Sequence, residues 1–505
     1  MFKNNSVFIT SVSLTFIFIM LGIFFTDLLN KVFSASLTFI LSYFGWFIIL
    51  VCFFFLAFCI YLAFSKFGAI RLGDDNDRPS YSTVTWLAML FSAGIGVGLI
   101  FYGVAEPVMH FVDPPLGQET SAPVDVAMKY TFLHWGLGAW AIFGFVALCV
   151  AYFQFRKKLP GLISSTFYPI LGDKIYGPIG KSIDGYSAFM TALNTSVVLG
   201  MTALQVTSGL NFLWGIPNTL TTQILTIGIA TGLFLISAST GLDRGIKYLS
   251  NVNFTFFFLL MALVLLIGPT IKILNIFINT TGMYISDLIP MSLRLGTSNE
   301  EATSWIESWT IFYWAWWVAW TPFVGGFIAR ISKGRTIKEF VIGVFIVPSV
   351  LSFLWFSIFG GGALHMIQEL NHTGLADTVS QDVTFAMYAF LDYLPGGSLL
   401  SVIAALLLIT FFVTSADSAT FTLSMYCKNG VLNPSNKIKM VWGVLIAIGA
   451  VALLVSGGLS TVQSVAIVTT FPFIFFMVLM NVTIIKDLKG EIKKQEVNDM
   501  KTKAS

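Results

Sequence analysis

The sequence predicts an all-α membrane protein of twelve transmembrane helices, ten of them forming a five-plus-five inverted repeat behind two extra N-terminal helices. Three observations carry this expectation: an apolar composition, twelve runs of membrane-spanning length, and helix breakers that recur five helices apart. Of 505 residues, 56% are hydrophobic and 10% charged, against about 25% charged in a soluble domain. That much apolar surface requires lipid as its solvent. The net charge of +3 gives no reason to expect a nucleic-acid partner. Cys52, Cys59, Cys149 and Cys427 form no C-x-x-C pair, so neither a disulfide framework nor a zinc site is indicated.

The twelve runs are 7–27, 43–65, 84–104, 131–154, 186–213, 219–239, 253–273, 308–329, 340–361, 396–426, 438–457 and 461–485. Each can cross roughly 30 Å of hydrocarbon. The first has no small-residue cleavage site after it and reads as a retained helix. Residues 274–295 are weaker and amphipathic, which predicts a connector lying along the surface. With the N-terminus inside, 24 of the 28 Lys and Arg residues fall in inner segments, and Lys31, Lys129, Lys272 and Arg294 fall outside. This asymmetry predicts a multi-pass protein with both termini cytoplasmic. The expected organisation is 1–80 for the first two helices and their loop, 81–275 for the first repeat and 276–304 for the connector. Residues 305–485 form the second repeat and 486–505 a short cytoplasmic tail.

The repeat rests on where the breakers stand. The third helix contains Ser92-Ala93-Gly94-Ile95-Gly96-Val97-Gly98, and the eighth contains Trp320-Thr321-Pro322-Phe323-Val324-Gly325-Gly326. Two helices further on, the fifth carries Thr191 and Thr195, and the tenth carries Thr414 and Ser415. Five helices per half give the halves opposite topology, each opening on a broken helix, with a binding site at the bilayer midplane. Glycine also serves close helix packing, so the argument lies in the paired placement.

The most informative stretch is Ser308–Arg335. Trp314, Trp316, Trp317 and Trp320 fall within seven residues; interfacial anchoring accounts for one such ring, not for four. Trp135, Trp140 and Phe143 supply a second cluster. Aromatic faces attract a cation through the ring quadrupole, by about 2 kcal/mol or more when desolvated. A cage of indoles without a carboxylate selects a quaternary ammonium group, which has diffuse charge and no hydrogen-bond donor. An unwound Gly94–Gly98 segment would offer N–H groups to an anionic substrate group and carbonyls to a cation. Thr191, Thr195, Thr414 and Ser415 carry the hard oxygens that a small cation needs, although such hydroxyls also bond back to their own helices. Glu106 and Asp417 are the candidate charges within the membrane. Glu106 precedes Pro107 near a helix end, a position compatible with exposure, and His134 reads as a hydrogen-bonded structural residue. No metal triad, phosphate loop or nucleophile elbow is legible, so the chain does not read as an enzyme.

At these residues the sequence resembles the betaine/choline/carnitine transporter family over roughly 10–485. The most specific matches are FYWAWWVAWTPFVGGFIARISKGR at 312–335, GIGVGLIFYGVAEP at 94–107, FLHWGLGAW at 132–140 and FFVTSADSA at 411–419. The resemblance implies a LeuT-type inverted repeat in helices 3–12, a bacterial inner-membrane location and commonly a homotrimer among membrane lipids. It implies a substrate cage at Trp135, Trp140, Phe143 and Trp317, with Trp316 and Trp320 near the pathway and Gly94, Gly96 and Gly98 beside it. It places one sodium site at Thr191, Thr195 and Phe323. The other would use the backbone around Ser92 and Ile95 with Phe411, Thr414 and Ser415. Betaine members usually have tyrosine at the position of Phe143, and the family often has methionine at that of Ile95. Proton-coupled choline members resemble GIGID, with aspartate at the position of Gly98. Sodium-independent carnitine exchangers place arginine at that of Asn253. This chain has neither substitute, so sodium is the expected coupling ion, with no other cofactor. The reading is sodium-coupled uptake of glycine betaine for osmoprotection. A choline or carnitine importer of the same family, and a non-concentrating channel or osmosensor, remain as alternatives.

Overall fold

The computed structural model describes residues 5–94, 96–115, 123–240, 247–297, 299–431, 435–457 and 459–504. Within them the chain is a helical membrane protein, as expected, and the extended pairing is a single bridge between Arg71 and Thr336. Among the described residues, ten helices are long and apolar enough to cross a bilayer, and one bent pair makes eleven. The remaining expected span is the tryptophan-rich helix. It has 20 residues and is buried almost throughout, but its amphipathic indoles make it less apolar than the others.

The chain begins with α1 (Ser6–Phe24) and α2 (Thr26–Phe64). Helix α2 starts well before the expected residue 43, because polar residues in its first turns hide it from a hydropathy reading. Asn30 there donates to the Ser456 carbonyl at 2.7 Å. Next come α3 (Thr83–Gly94) and α4 (Gly96–Val112), which meet at a 62° bend. This is the break expected from the glycine run. A second break separates α5 (Pro123–Trp135) from α6 (Leu137–Ala151). Gly136 leaves the helical region there, with φ −94° and ψ −145°. A Cβ at Gly136 would lie 2.5 Å from the Phe132 carbonyl oxygen and 2.8 Å from the Phe353 ring. The Leu137 N–H freed by the break donates to the Tyr284 hydroxyl at 3.0 Å.

Helix α7 (Pro178–Trp214) ends at Gly215, whose φ of 67° is the left-handed cap that glycine adopts without strain. Helices α8 (Leu220–Thr240) and α9 (Lys247–Ile267) follow. Helix α10 (Thr270–Ser292) covers most of the amphipathic stretch 274–295. Buried Lys129 of α5 pairs with Asp287 of α10 at 3.0 Å, and this ammonium holds the Asp287 carboxyl below the usual carboxylate range. Burial separates centre from periphery. The apolar windows of 123–156 and α7 are 89% buried, against 22% and 33% for those of α8 and α9. The latter two therefore present apolar side chains outward to lipid.

The second half runs through α11 (Phe312–Ile331), α12 (Ile337–Phe356), α13 (Gly397–Tyr426), α14 (Asn436–Val455) and α15 (Leu459–Ala504). The expected break at Pro322 does not occur: α11 is helical throughout. Proline leaves the carbonyl four residues earlier without its N–H donor. The Thr321 hydroxyl supplies that bond instead, reaching the Val318 oxygen at 2.7 Å. Tyr426 of α13 donates to the Pro322 carbonyl. The irregularity lies at least three turns earlier, in a π-helical turn at Glu307–Ile311.

Across the expected short cytoplasmic tail, 486–505, α15 continues as helix to Ala504. Glu491 on it accepts from Arg156 and Lys157, both at 2.6 Å, and Asp487 pairs with Lys157 at 2.7 Å. These groups are largely shielded, so the pairs are worth more than surface ones. Glu491→Gln should cost about 1–2 kcal/mol of stability, read as a lower unfolding midpoint in detergent. Substrate affinity should be unchanged.

Candidate functional site

Four elements bring the expected rings together: α4, the end of α5, α6 and α11. Trp135 closes α5 directly before the Gly136 break. Its ring meets Trp317 of α11 edge-on, with centroids 4.9 Å apart and planes at 76°. Trp316 stacks on Trp317 at 5.0 Å and 22°, and meets Trp320 edge-on at 6.4 Å. Phe143 of α6 approaches Trp317 at 5.6 Å and Trp140 at 5.8 Å. Trp135, Trp140, Phe143 and Trp317 are all buried. The Trp317 indole donates to the His134 carbonyl at 2.8 Å, which fixes its ring against α5.

Glycine brings α4 close enough to join the rings. A Cβ on Gly98 would stand 2.7 Å from the Trp135 ring, and one on Gly96 would stand 2.2 Å from the Phe411 ring. A small cavity lies here, lined by Gly96, Val97, Gly98, Val198, Met201, Trp316, Trp317, Trp320 and Ser415. It has room for about one water molecule. Trp135, Trp140 and Phe143 do not line it; Trp135 reaches it through its contacts with Trp316 and Trp317. Gly94 ends α3; Ile95, and the side-chain surroundings of Ser92 and Gly94, lie outside the described residues. Val97, Val198 and Met201 were not anticipated, since nothing in their chemistry separates them from other apolar residues.

Glu106 is the buried intramembrane charge that its candidacy required, and the alternative of exposure at a helix end does not hold. Pro107 sits inside α4 and does not end it, so Glu106 is fully buried. Its Oε1 is 2.7 Å from His134 Nδ1 and 3.2 Å from His110 Nε2. Its Oε2 accepts from Trp135 Nε1 and from the Tyr313 hydroxyl, both at 2.5 Å. His134 Nε2 is 3.0 Å from the Thr310 hydroxyl. Glu106, His110 and His134 thus form a cluster with the donor types of a metal site, their ligand atoms within 4.8 Å of one another. No such triad is legible in the sequence. His110 also touches Trp305 and Trp309, which line a wider cavity of about 590 Å³ with Asp113, Glu300 and Glu301.

The hydroxyls expected at sodium sites bond back to their own helices. Thr191 donates to Ser187 O at 2.8 Å and Thr195 to Thr191 O at 2.7 Å. Thr414 donates to Phe411 O at 2.8 Å. A hydroxyl that spends its proton this way keeps lone pairs for a cation, so the bond orients the oxygen without blocking it. Ser415 lines the central cavity. Asn253 of α9, the position where sodium-independent relatives are expected to carry arginine, donates to Thr414 Oγ1 at 3.1 Å. Phe323 packs by its ring against Trp320 at 6.0 Å.

A bundle of membrane-crossing helices with an uncharged, ring-lined cavity beside a broken helix is the architecture of a membrane transporter. The model of the betaine/carnitine/choline family transporters matches residues 6–493. A glycine betaine transporter of Bacillus subtilis, OpuD, is 47% identical over 500 residues, covering 98% of this chain and 97% of the relative. An ectoine/hydroxyectoine transporter of Virgibacillus pantothenticus is 40% identical, covering 98% of each. An osmo-independent choline transporter of Acinetobacter baylyi, BetT1, is 38% identical, covering 92% of this chain and 89% of the relative. The chain belongs to the betaine/carnitine/choline transporter family.

Proposed function

We propose that the protein takes up glycine betaine with sodium across the bacterial inner membrane, both termini cytoplasmic, and so accumulates an osmolyte. The observation that carries this reading is the meeting of Trp135, Trp316, Trp317 and Trp320 beside a cavity with no charged lining residue. Such a site suits a trimethylammonium group and disfavours hydrated inorganic cations. Among the described residues, the buried indole N–H groups of Trp140 and Trp320 have no acceptor, and a substrate carboxylate would supply one. The cavity is smaller than the ion, so the rings must separate on entry, as alternating access requires. For sodium, Thr191, Thr195, Phe323, Thr414, Ser415 and Phe411 remain the proposed ligands, with the backbone around Ser92 and Ile95. Gly98 and Asn253 stand where a coupling aspartate or arginine would otherwise be. Phe143, which has no hydroxyl to meet a carboxylate, favours a choline importer as the second reading. The homotrimer belongs to the same proposal and is checked by light-scattering mass.

Purified protein in proteoliposomes should concentrate labelled glycine betaine only when an inward sodium gradient is imposed. Excess unlabelled choline or carnitine should compete more weakly than betaine. Equilibration without a gradient would mean a channel. Stronger competition by choline would make choline the substrate.

A further inference from the structure

We infer that Glu106 is a positioning residue for the cation: it locks Trp135 and Tyr313 in place, and its charge makes the Trp135 ring a better seat for a quaternary ammonium. The inference rests on reading the rings as the substrate cage.

One arrangement of protons satisfies every contact in the cluster. An indole N–H can only donate, so Trp135 donates to Oε2, and Tyr313 donates beside it, both at 2.5 Å. Oε1 takes the other two bonds, from His134 Nδ1 and His110 Nε2. Protons on those two nitrogens leave His134 Nε2 to accept from the Thr310 hydroxyl at 3.0 Å. They leave His110 Nδ1 as a bare lone pair, in agreement with its having no partner among the described residues. Both carboxylate oxygens are therefore filled by two donors each. Although the three ligand-type atoms have metal-site spacing, the carboxylate has no free lone pair to offer a metal. It serves as an acceptor hub.

Two consequences reach the cage. The hub holds one cage ring directly, since Trp135 hangs from Oε2. It supports a second through His134, whose side chain it grips and whose carbonyl accepts from Trp317 at 2.8 Å. The hub also acts electronically. An anionic acceptor on an indole N–H pushes electron density into the ring, as bonds in a low-dielectric interior polarise one another. A richer π face attracts a cation more strongly.

A merely structural role and this one differ in what they do to a ligand without positive charge. The carbon isostere of glycine betaine, 3,3-dimethylbutanoate, has the same shape and carboxylate but no charged nitrogen. Affinities of both ligands should be measured by calorimetry on purified, folded wild type and Glu106→Gln. Glutamine keeps the size and removes the charge. The betaine-to-isostere affinity ratio should fall about fivefold, with isostere affinity changed by less than about twofold. Equal losses for both ligands, or an unchanged ratio, would overturn the inference. If the Gln variant does not fold, the wild-type protein still decides. The indole N–H band in ultraviolet resonance Raman, assigned to Trp135 by difference against Trp135→Phe, must show a strong hydrogen bond; a weakly bonded N–H would overturn the proposal. The cage has its own test in Trp317→Leu. If that substitution leaves betaine affinity unchanged, the cage reading fails; if it acts while the Glu106→Gln ratio holds, only this inference fails.

Discussion

Replacing Trp317 with leucine should weaken glycine betaine binding by about tenfold, or 1–2 kcal/mol. Trp317 is the ring that the others share: Trp135, Phe143 and Trp316 all approach it within 5.6 Å. Leucine keeps an apolar side chain and removes the quadrupole. Both leucine and phenylalanine lose the indole bond to the His134 carbonyl, so the difference between those two variants isolates the aromatic face. Phenylalanine should be the milder change. Affinity is to be read by tryptophan fluorescence or calorimetry on purified, folded protein. If wild type, Phe and Leu variants bind equally, the rings only pack the core.

The second large effect concerns sodium. Thr414→Ala combined with Ser415→Ala removes two hydroxyl oxygens from α13, one in the central cavity and one held by Asn253. A hydrogen-bonded or charge-assisted contact of this kind is worth about 1.5–3 kcal/mol. The sodium concentration for half-maximal uptake should therefore rise by at least about tenfold, with light-scattering mass unchanged. An unaltered sodium dependence in a folded variant would place the ion elsewhere. Asn253→Ala offers a graded companion: it removes the amide bond to Thr414 and keeps the hydroxyl, so its shift should be smaller.

Much of this was open to reading along the chain, for identifiable reasons. Lipid-crossing length and apolar content are local properties, and α13 and α14 start and end within two residues of expectation. The aromatic inventory was equally plain, because four tryptophans in seven residues exceed what an interface needs. Breaks were less legible. The glycine run at 94–98 does bend the chain, yet Pro322 does not, since Thr321 replaces the missing donor. Gly136 breaks its helix without any local signal beyond one glycine. The break depends on Phe353 filling the space where a Cβ would sit and on Tyr284 accepting the freed N–H.

Glu106 shows where local reading stops. Beside a proline it looked like a helix end, but its partners stand up to 207 residues away. Residue chemistry along the chain establishes the solvent, the helices and the presence of rings suited to a cation, because each depends on composition over one helix length. Which rings touch, where a carboxylate is gripped by four donors, and how little room the cage leaves depend on the approach and rotation of whole helices. Those follow from close packing between segments remote in sequence, where glycines at 96 and 98 let the Phe411 and Trp135 rings pack onto the α4 backbone and larger residues would hold them off.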